Sequence, residues 1–325
     1  MYQNSVAEFR PELYTVLEEA LAADSKYIAD AIFPVYPVRT RTGEYTRIKR
    51  GKGQLLVNLA GATGADPLAR APGTAYPEMS RTSEKASWRT VDRGITTPVD
   101  DVNAQDVARF FDMESADTRW LMRCIRTYRE ARVAAFLYNE ARWGKIDSAI
   151  TLIEANLATF DGPKMLKAAK AIIDKRQEDC DTLVLSRNLW DLLQQSEKML
   201  KYCFGSLQGS SAIDESVVAK KFGFRQILLG NSSYDTTKPG KDSTDDNLVW
   251  CWGDTYMWLG SVKDGAPENG GAGRTFVLED LTNGGQLYVP ESWRDEKIRS
   301  DQLRVRQDCE ENTVNENCGI LIKVN

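Results

Sequence analysis

Residues 101–144 read DVNAQDVARFFDMESADTRWLMRCIRTYREARVAAFLYNEARWG. Leu121, Cys124, Ile125, Tyr128, Ala131, Ala135 and Tyr138 recur there at steps of three and four, which places them on one face of a helix. Arg119, Arg123, Arg126, Glu130 and Arg142 populate the remaining faces. No proline or glycine interrupts the run before Gly144, which stands where a C-cap glycine belongs. The pattern predicts one long amphipathic helix with Leu121, Ile125 and Tyr128 in its core-facing stripe. At about 1.5 Å per residue it would span roughly 60 Å, more than one small core needs. Two roles suit such a helix: the long core helix of an α+β enzyme, or the skeleton of an extended subunit.

Composition narrows the choice. The chain has 325 residues, 42% hydrophobic and 27% charged, as in ordinary globular proteins. No window of eighteen apolar residues occurs, so no membrane span is expected, and residues 1–10 lack the apolar core of a signal peptide. A net charge of −5 argues against a wholly basic nucleic-acid binder and leaves room for local basic patches. The six cysteines form no C-x-x-C pair, and their scatter predicts free thiols rather than a disulfide framework or a zinc site. The chain contains no histidine. That removes the commonest general base, the usual zinc ligand and the neutral-pH switch.

Upstream of the long helix, Leu13, Val16, Leu17, Ala20 and Leu21 make a short amphipathic helix after Pro11. Arg39, Arg41, Arg47, Lys49, Arg50 and Lys52 face only Glu44, a basic run with strand-like alternation at 45–49. A Gly-, Ala- and Pro-rich stretch, 53–83, separates it from a strand over 86–99. Two strands joined by some thirty loop residues suit a protruding β-arm better than a compact domain. Packed within one subunit, the basic run would repel itself. It is therefore expected to lie over acidic residues of a neighbouring copy, with Asp308, Glu310 and Glu311 as the candidates.

Downstream, helices are expected at 163–175, 189–200 and 215–222. Strands are expected at 182–185, 226–229, 248–252, 256–259, 275–278, 286–289, 298–307 and 319–324. Sequences that suggest chemistry fail on spacing. Arg50-Gly-Lys-Gly53 lacks the phosphate-loop pattern. Gly270-Gly271-Ala-Gly273 opens no helix and reads as a turn. Asp242, Asp245 and Asp246 lack the Gly and distal Glu of a calcium loop. Histidine-dependent nucleophile relays are impossible, and Trp190, Trp250, Trp252 and Trp258 read as core. No catalytic residue, cofactor or metal is expected.

The order of these features resembles the major capsid proteins of tailed bacteriophages, the Hong Kong 97-like family. The resemblance is carried by Phe9 to Leu13 with Tyr27 to Pro34, by the arm from Val38 to Val99 with its Arg70-Ala-Pro-Gly73 tip, and by Pro98-Val-Asp-Asp101 entering the long helix. Thr182 to Leu185, Val218 to Gly223 and Trp252 to Tyr256 continue the match. It implies an α+β fold divided into an N-terminal arm (1–38), a hairpin E-loop (39–99), a P-domain with the spine helix (100–160), an A-domain with a mixed sheet flanked by helices (161–285) and return strands (286–325). It further implies pentamers and hexamers of the chain tiling an icosahedral shell around double-stranded DNA, with portal, scaffolding and decoration proteins as partners, in a virion. Two rivals stand beside this reading: a host-encoded compartment shell of the same fold that encloses cargo protein, and a histidine-free α+β enzyme.

Overall fold

The computed structural model describes residues 8–9, 13, 15–19, 26–49, 70, 72–73, 75, 84–107, 112–205, 213–238, 240–279 and 284–324. In chain order the strands are β1 (Glu8–Phe9), β2 (Val35–Val38), β3 (Thr42–Arg47), β4 (Glu84–Arg89), β5 (Val91–Asp100), β6 (Gly144–Asp147), β7 (Thr182–Ser186) and β8 (Gln226–Gly230). There follow β9 (Ser233–Asp235), β10 (Leu248–Trp250), β11 (Tyr256–Gly260), β12 (Gly273–Leu278), β13 (Val289–Asp295), β14 (Ser300–Thr313) and β15 (Gly319–Lys323). Arg50, Lys52 and most of the arm tip lie outside the described residues.

Two mixed sheets carry the architecture. The first has six strands organised on β14. On one side β14 pairs antiparallel with β5, from Ser300↔Asp100 to Cys309↔Val91. On the other it pairs first with β13 and then with β12. β1 adds beyond β13, and β2 adds parallel to β12. The second sheet runs β6-β15-β11-β7-β8. Thus β13 and β14 belong to the first sheet, whereas β15, from the same C-terminal segment, belongs to the second.

Alternation along the second sheet sorts its side chains onto two cores. Leu183, Leu185, Met257, Leu259, Ile320 and Ile322 face the helices Gly162–Lys175, Arg187–Gln195, Glu197–Phe204 and Glu215–Phe222. Val184, Trp258 and Leu321 face the other way, toward Val133, Ala134 and Leu137 of the long helix and toward Ile28, Ile32 and Phe33. The first half of the long helix buries Leu121, Met122 and Ile125 against Val99, Val277, Leu303 and Val305 of the first sheet. One helix therefore serves both sheets.

That helix is shorter than its sequence suggested. It runs Met113–Leu137, preceded by a separate helix, Asp101–Val107. Asp112 is extended (φ −81°, ψ 110°) and its carboxylate accepts the Glu114 amide, so a new helix is capped there. At the other end Tyr138 leaves helical geometry, and the Asn139 side chain accepts the Ala141 amide in a turn. Trp143 is then drawn fully into the core against Trp258, and Gly144 opens β6 instead of capping a helix. The helix expected over 189–200 likewise divides at Ser196, whose hydroxyl bonds the Phe160 carbonyl. The strand expected over 86–99 divides at Thr90, β4 pairing with β3 and β5 with β14.

Candidate assembly surfaces and the buried ion cluster

The base of the arm is the hairpin β3–β4, in register from Thr42↔Arg89 to Arg47↔Glu84. An aromatic stack fixes it to the first sheet. Trp88 lies flat on Phe276 with centroids 5.2 Å apart, and the Tyr45 ring is 5.0 Å from the same side chain. The Tyr45 hydroxyl donates to the Thr313 carbonyl, and burial raises its pKa to about 12. Ile48 bridges to Asn315, which extends the anchorage past the strand.

The basic run finds its acidic partners inside its own chain. Arg41 meets Asp308 at 3.2 Å and Lys49 meets Glu84 at 2.9 Å. Arg47 lies between Glu84 (3.7 Å) and Glu316 (3.8 Å), and Arg39 stands 3.9 Å from Glu279. This corrects the expectation that the run repels itself within a subunit: folding returns distant carboxylates to it. The proposed acceptors change accordingly. Asp308 is buried under Arg41, Glu310 accepts the Arg89 amide and Asn312, and Glu311 is buried and faces the long helix. Neither Asp308 nor Glu311 presents a free carboxylate for a neighbour's arm.

Glu311 belongs to a cluster midway along the long helix, between its packing on the first sheet and on the second. Arg129, fully buried, reaches Glu311 at 3.2 Å, pairs with Asp30 and donates to the Thr275 hydroxyl at 2.9 Å. Arg132 adds a second contact to Glu311 at 2.6 Å. The next residue, Glu130, accepts the Ala29 amide and the Trp252 indole N–H, at 2.6 and 2.5 Å. Burial pushes the Glu311 carboxyl up, but Arg129 and Arg132 outweigh it and hold the group below the usual range. Burial also dominates at Glu130, and there it wins: its two N–H donors do not offset it, and the pKa is raised. The cluster pins the segment around Asp30 to the long helix. Sequence reasoning missed it because Arg126, Arg129 and Glu130 look like solvated helix residues; their only signal was their phase, alongside Met122 and Val133.

Tyr128, expected in the core stripe with Leu121 and Ile125, is 56% exposed. The true buried stripe, Leu121, Met122, Ile125, Arg129, Val133 and Leu137, passes beside it. Trp250 is also a correction. It stands 45% exposed on the two-stranded ribbon β9–β10, whereas Trp190, Trp252 and Trp258 are buried. With Tyr234, Leu248 and Val249 it makes that ribbon apolar and open to solvent. Trp120 is exposed on the outer face of the long helix. Clustered exposure of this kind marks surfaces that another molecule covers. Among the described residues, no group of acidic or thiol side chains is placed to hold a metal, and no helix is long and apolar enough to cross a membrane. The cysteines are free thiols.

The two packed sheets, the bridging helix and the anchored hairpin define the Hong Kong 97-like capsid fold. No family model and no curated protein matches the sequence. Solved structures do match. A phage-related protein from Bordetella bronchiseptica superposes with a TM-score of 0.69 at 17% identity, over 98% of this chain and 97% of the other. The capsid of cyanophage P-SCSP1u gives 0.53 at 12% identity, over 90% and 86%. A holo encapsulin complex from Synechococcus elongatus gives 0.51 at 10% identity, over 90% and 85%.

Proposed function

We propose that the chain is a major capsid protein, the repeating subunit of a closed shell around packaged double-stranded DNA. The observation that carries the reading is the shared fold over nearly the whole chain. The exposed apolar ribbon supports it, since Tyr234, Leu248, Val249 and Trp250 stand open to solvent on it. In this reading the E-loop, expected over 39–99, ends at Thr90, where β5 enters the first sheet; that sheet with the long helix is the P-domain, and the second sheet with its helices is the A-domain. Copies meet as pentamers and hexamers, with portal, scaffolding and decoration proteins as partners, and the shell resides in the virion. The work of the protein is structural rather than catalytic. The basic arm contacts a neighbouring copy through residues beyond its intrachain ion pairs. A second reading, a compartment shell enclosing cargo protein, is favoured by the likeness to an encapsulin. Electron microscopy of purified particles tests both. Closed shells with nuclease-protected DNA support the first, and shells holding protein cargo the second. A monomer under every assembly condition, with scaffold supplied, would overturn the shell reading.

A further inference from the structure

Between the segment at Lys26 and Tyr27, the long helix and the loop after β8 lies a cavity of about 220 Å³. Lys26 and Arg123 line it, together with Tyr27, Thr127, Asn231, Ser232 and Ser233. Every lining side chain is polar and none is acidic. The nearby carboxylates are engaged elsewhere: Asp30 with Arg126 and Arg129, Glu130 with Ala29 and Trp252. Among the described residues Lys26 and Arg123 pair with no carboxylate. Two positive charges sharing a polar concavity repel unless a counter-charge enters.

The walls are held in place. The Tyr27 hydroxyl and Thr127 Oγ1 are 3.1 Å apart, and the Arg126 guanidinium lies 4.2 Å from the Tyr27 ring centre. Ser232 is 95% buried, since its relative exposure is 5%, and its hydroxyl has no nitrogen or oxygen partner among the described residues. Only the Cys251 thiol offers it a weak contact. Two cations with no carboxylate partner among the described residues, in a concavity whose lining is polar and not acidic, call for a ligand with several acceptor oxygens and negative charge.

We infer that this cavity is a binding site for a phosphate-class oxyanion. Lys26 and Arg123 supply the charge, and Thr127 and Asn231 supply neutral donors. The anion is either free phosphate or a phosphodiester of nucleic acid, and the same donors suit both. The inference rests on the cavity and not on the shell reading.

The test is calorimetric titration of the full-length protein with inorganic phosphate in chloride buffer. Saturable binding is expected. The double variant Lys26→Gln, Arg123→Gln should weaken it at least tenfold. Arg119→Gln, an exposed cation of the same helix outside the cavity, should not change it. Both altered residues are exposed, so melting temperatures should match wild type and exclude misfolding as the cause. A short DNA duplex is then titrated in competition. Displacement of phosphate by the duplex, lost in the double variant, identifies the phosphodiester; no displacement identifies free phosphate. Absence of saturable phosphate binding to wild type, or wild-type affinity in the double variant, overturns the proposal.

Discussion

Arg129 is the residue on which most of the buried polarity converges, and its partners are far apart in sequence. A buried charge is tolerated only when paired, so deleting one partner leaves the other uncompensated. Glu311→Gln should destabilise the subunit by about 3–5 kcal/mol in urea denaturation. The pH dependence has a defined sign. The folded pKa of Glu311 lies below its unfolded value of 4.5, so its stabilisation is present above that pH and is lost as pH falls through the folded value. Glu130 acts oppositely. Its raised pKa makes its contribution full below 4.5 and lost as pH rises through the folded value. Urea midpoints across acid pH should show a weaker acid limb in Glu311→Gln. Glu130→Gln should remove the decline on the other side. The long helix offers a sharper comparison. Ile125→Ala opens a cavity in a packed core and should cost about 2–5 kcal/mol, whereas Tyr128→Ala should stay within about 0.5 kcal/mol. Equal costs would mean that the buried stripe is assigned wrongly.

Among the elements, the long helix and the hairpin behave differently. The helix packs along its whole length, its first half on one sheet and its second half on the other. Ala131→Pro removes a helical hydrogen bond between the halves and should cost about 3 kcal/mol or more, read as lost cooperativity in thermal circular dichroism. β12 is similarly intolerant at its first residue. A Cβ on Gly273 would stand 2.4 Å from the Phe33 ring and 2.7 Å from the Asn312 carbonyl, and that backbone atom has nowhere to go. Gly273→Ala should therefore destabilise by about 1–3 kcal/mol in the same denaturation assay. The hairpin is held by aromatic packing and by partly exposed ion pairs, each contributing only about 0–1 kcal/mol. Arg47→Glu with Lys49→Glu should leave the subunit melting temperature nearly unchanged. Adding Glu84→Lys should restore any lost assembly, because Glu84 is the shared partner of both cations. Failure of that rescue would mean that assembly depends on a contact outside the chain.

Considered whole, the molecule is two sheets tied by one helix and one ion cluster. Unfolding of the unassembled subunit should be a single transition, because neither sheet can lose the helix alone. Two resolved calorimetric transitions would show that the tie is weaker than its burial implies. The absence of histidine gives a second expectation. Shell stability should lack a transition centred near the unperturbed histidine pKa of about 6.5, and light scattering across that range checks it.

Local pattern made much of this legible. The helix Glu215–Phe222 lies over the range its sequence predicted, with Asp214 capping its start and Gly223 its end. β7 and β15 follow from short apolar runs, and the glycine turn at Gly270 and Gly271 follows from residues that accept positive φ. These are contacts of near neighbours, and composition within a few residues decides them. The order of elements also carried the resemblance to the capsid fold. What stayed hidden depends on residues that meet only after folding. The Arg274 guanidinium is buried because it donates to the carbonyls of Gly265, Gly270 and Gly273. Arg41 loses its apparent repulsion because β14 brings Asp308 beneath it. The exposure of Tyr128 turns on which flank of the helix the sheets cover, and helical periodicity carries no record of that. Periodicity selects which face is apolar; the partner's extent selects which residues of that face are covered, and that extent is set by chain segments nearly two hundred residues away.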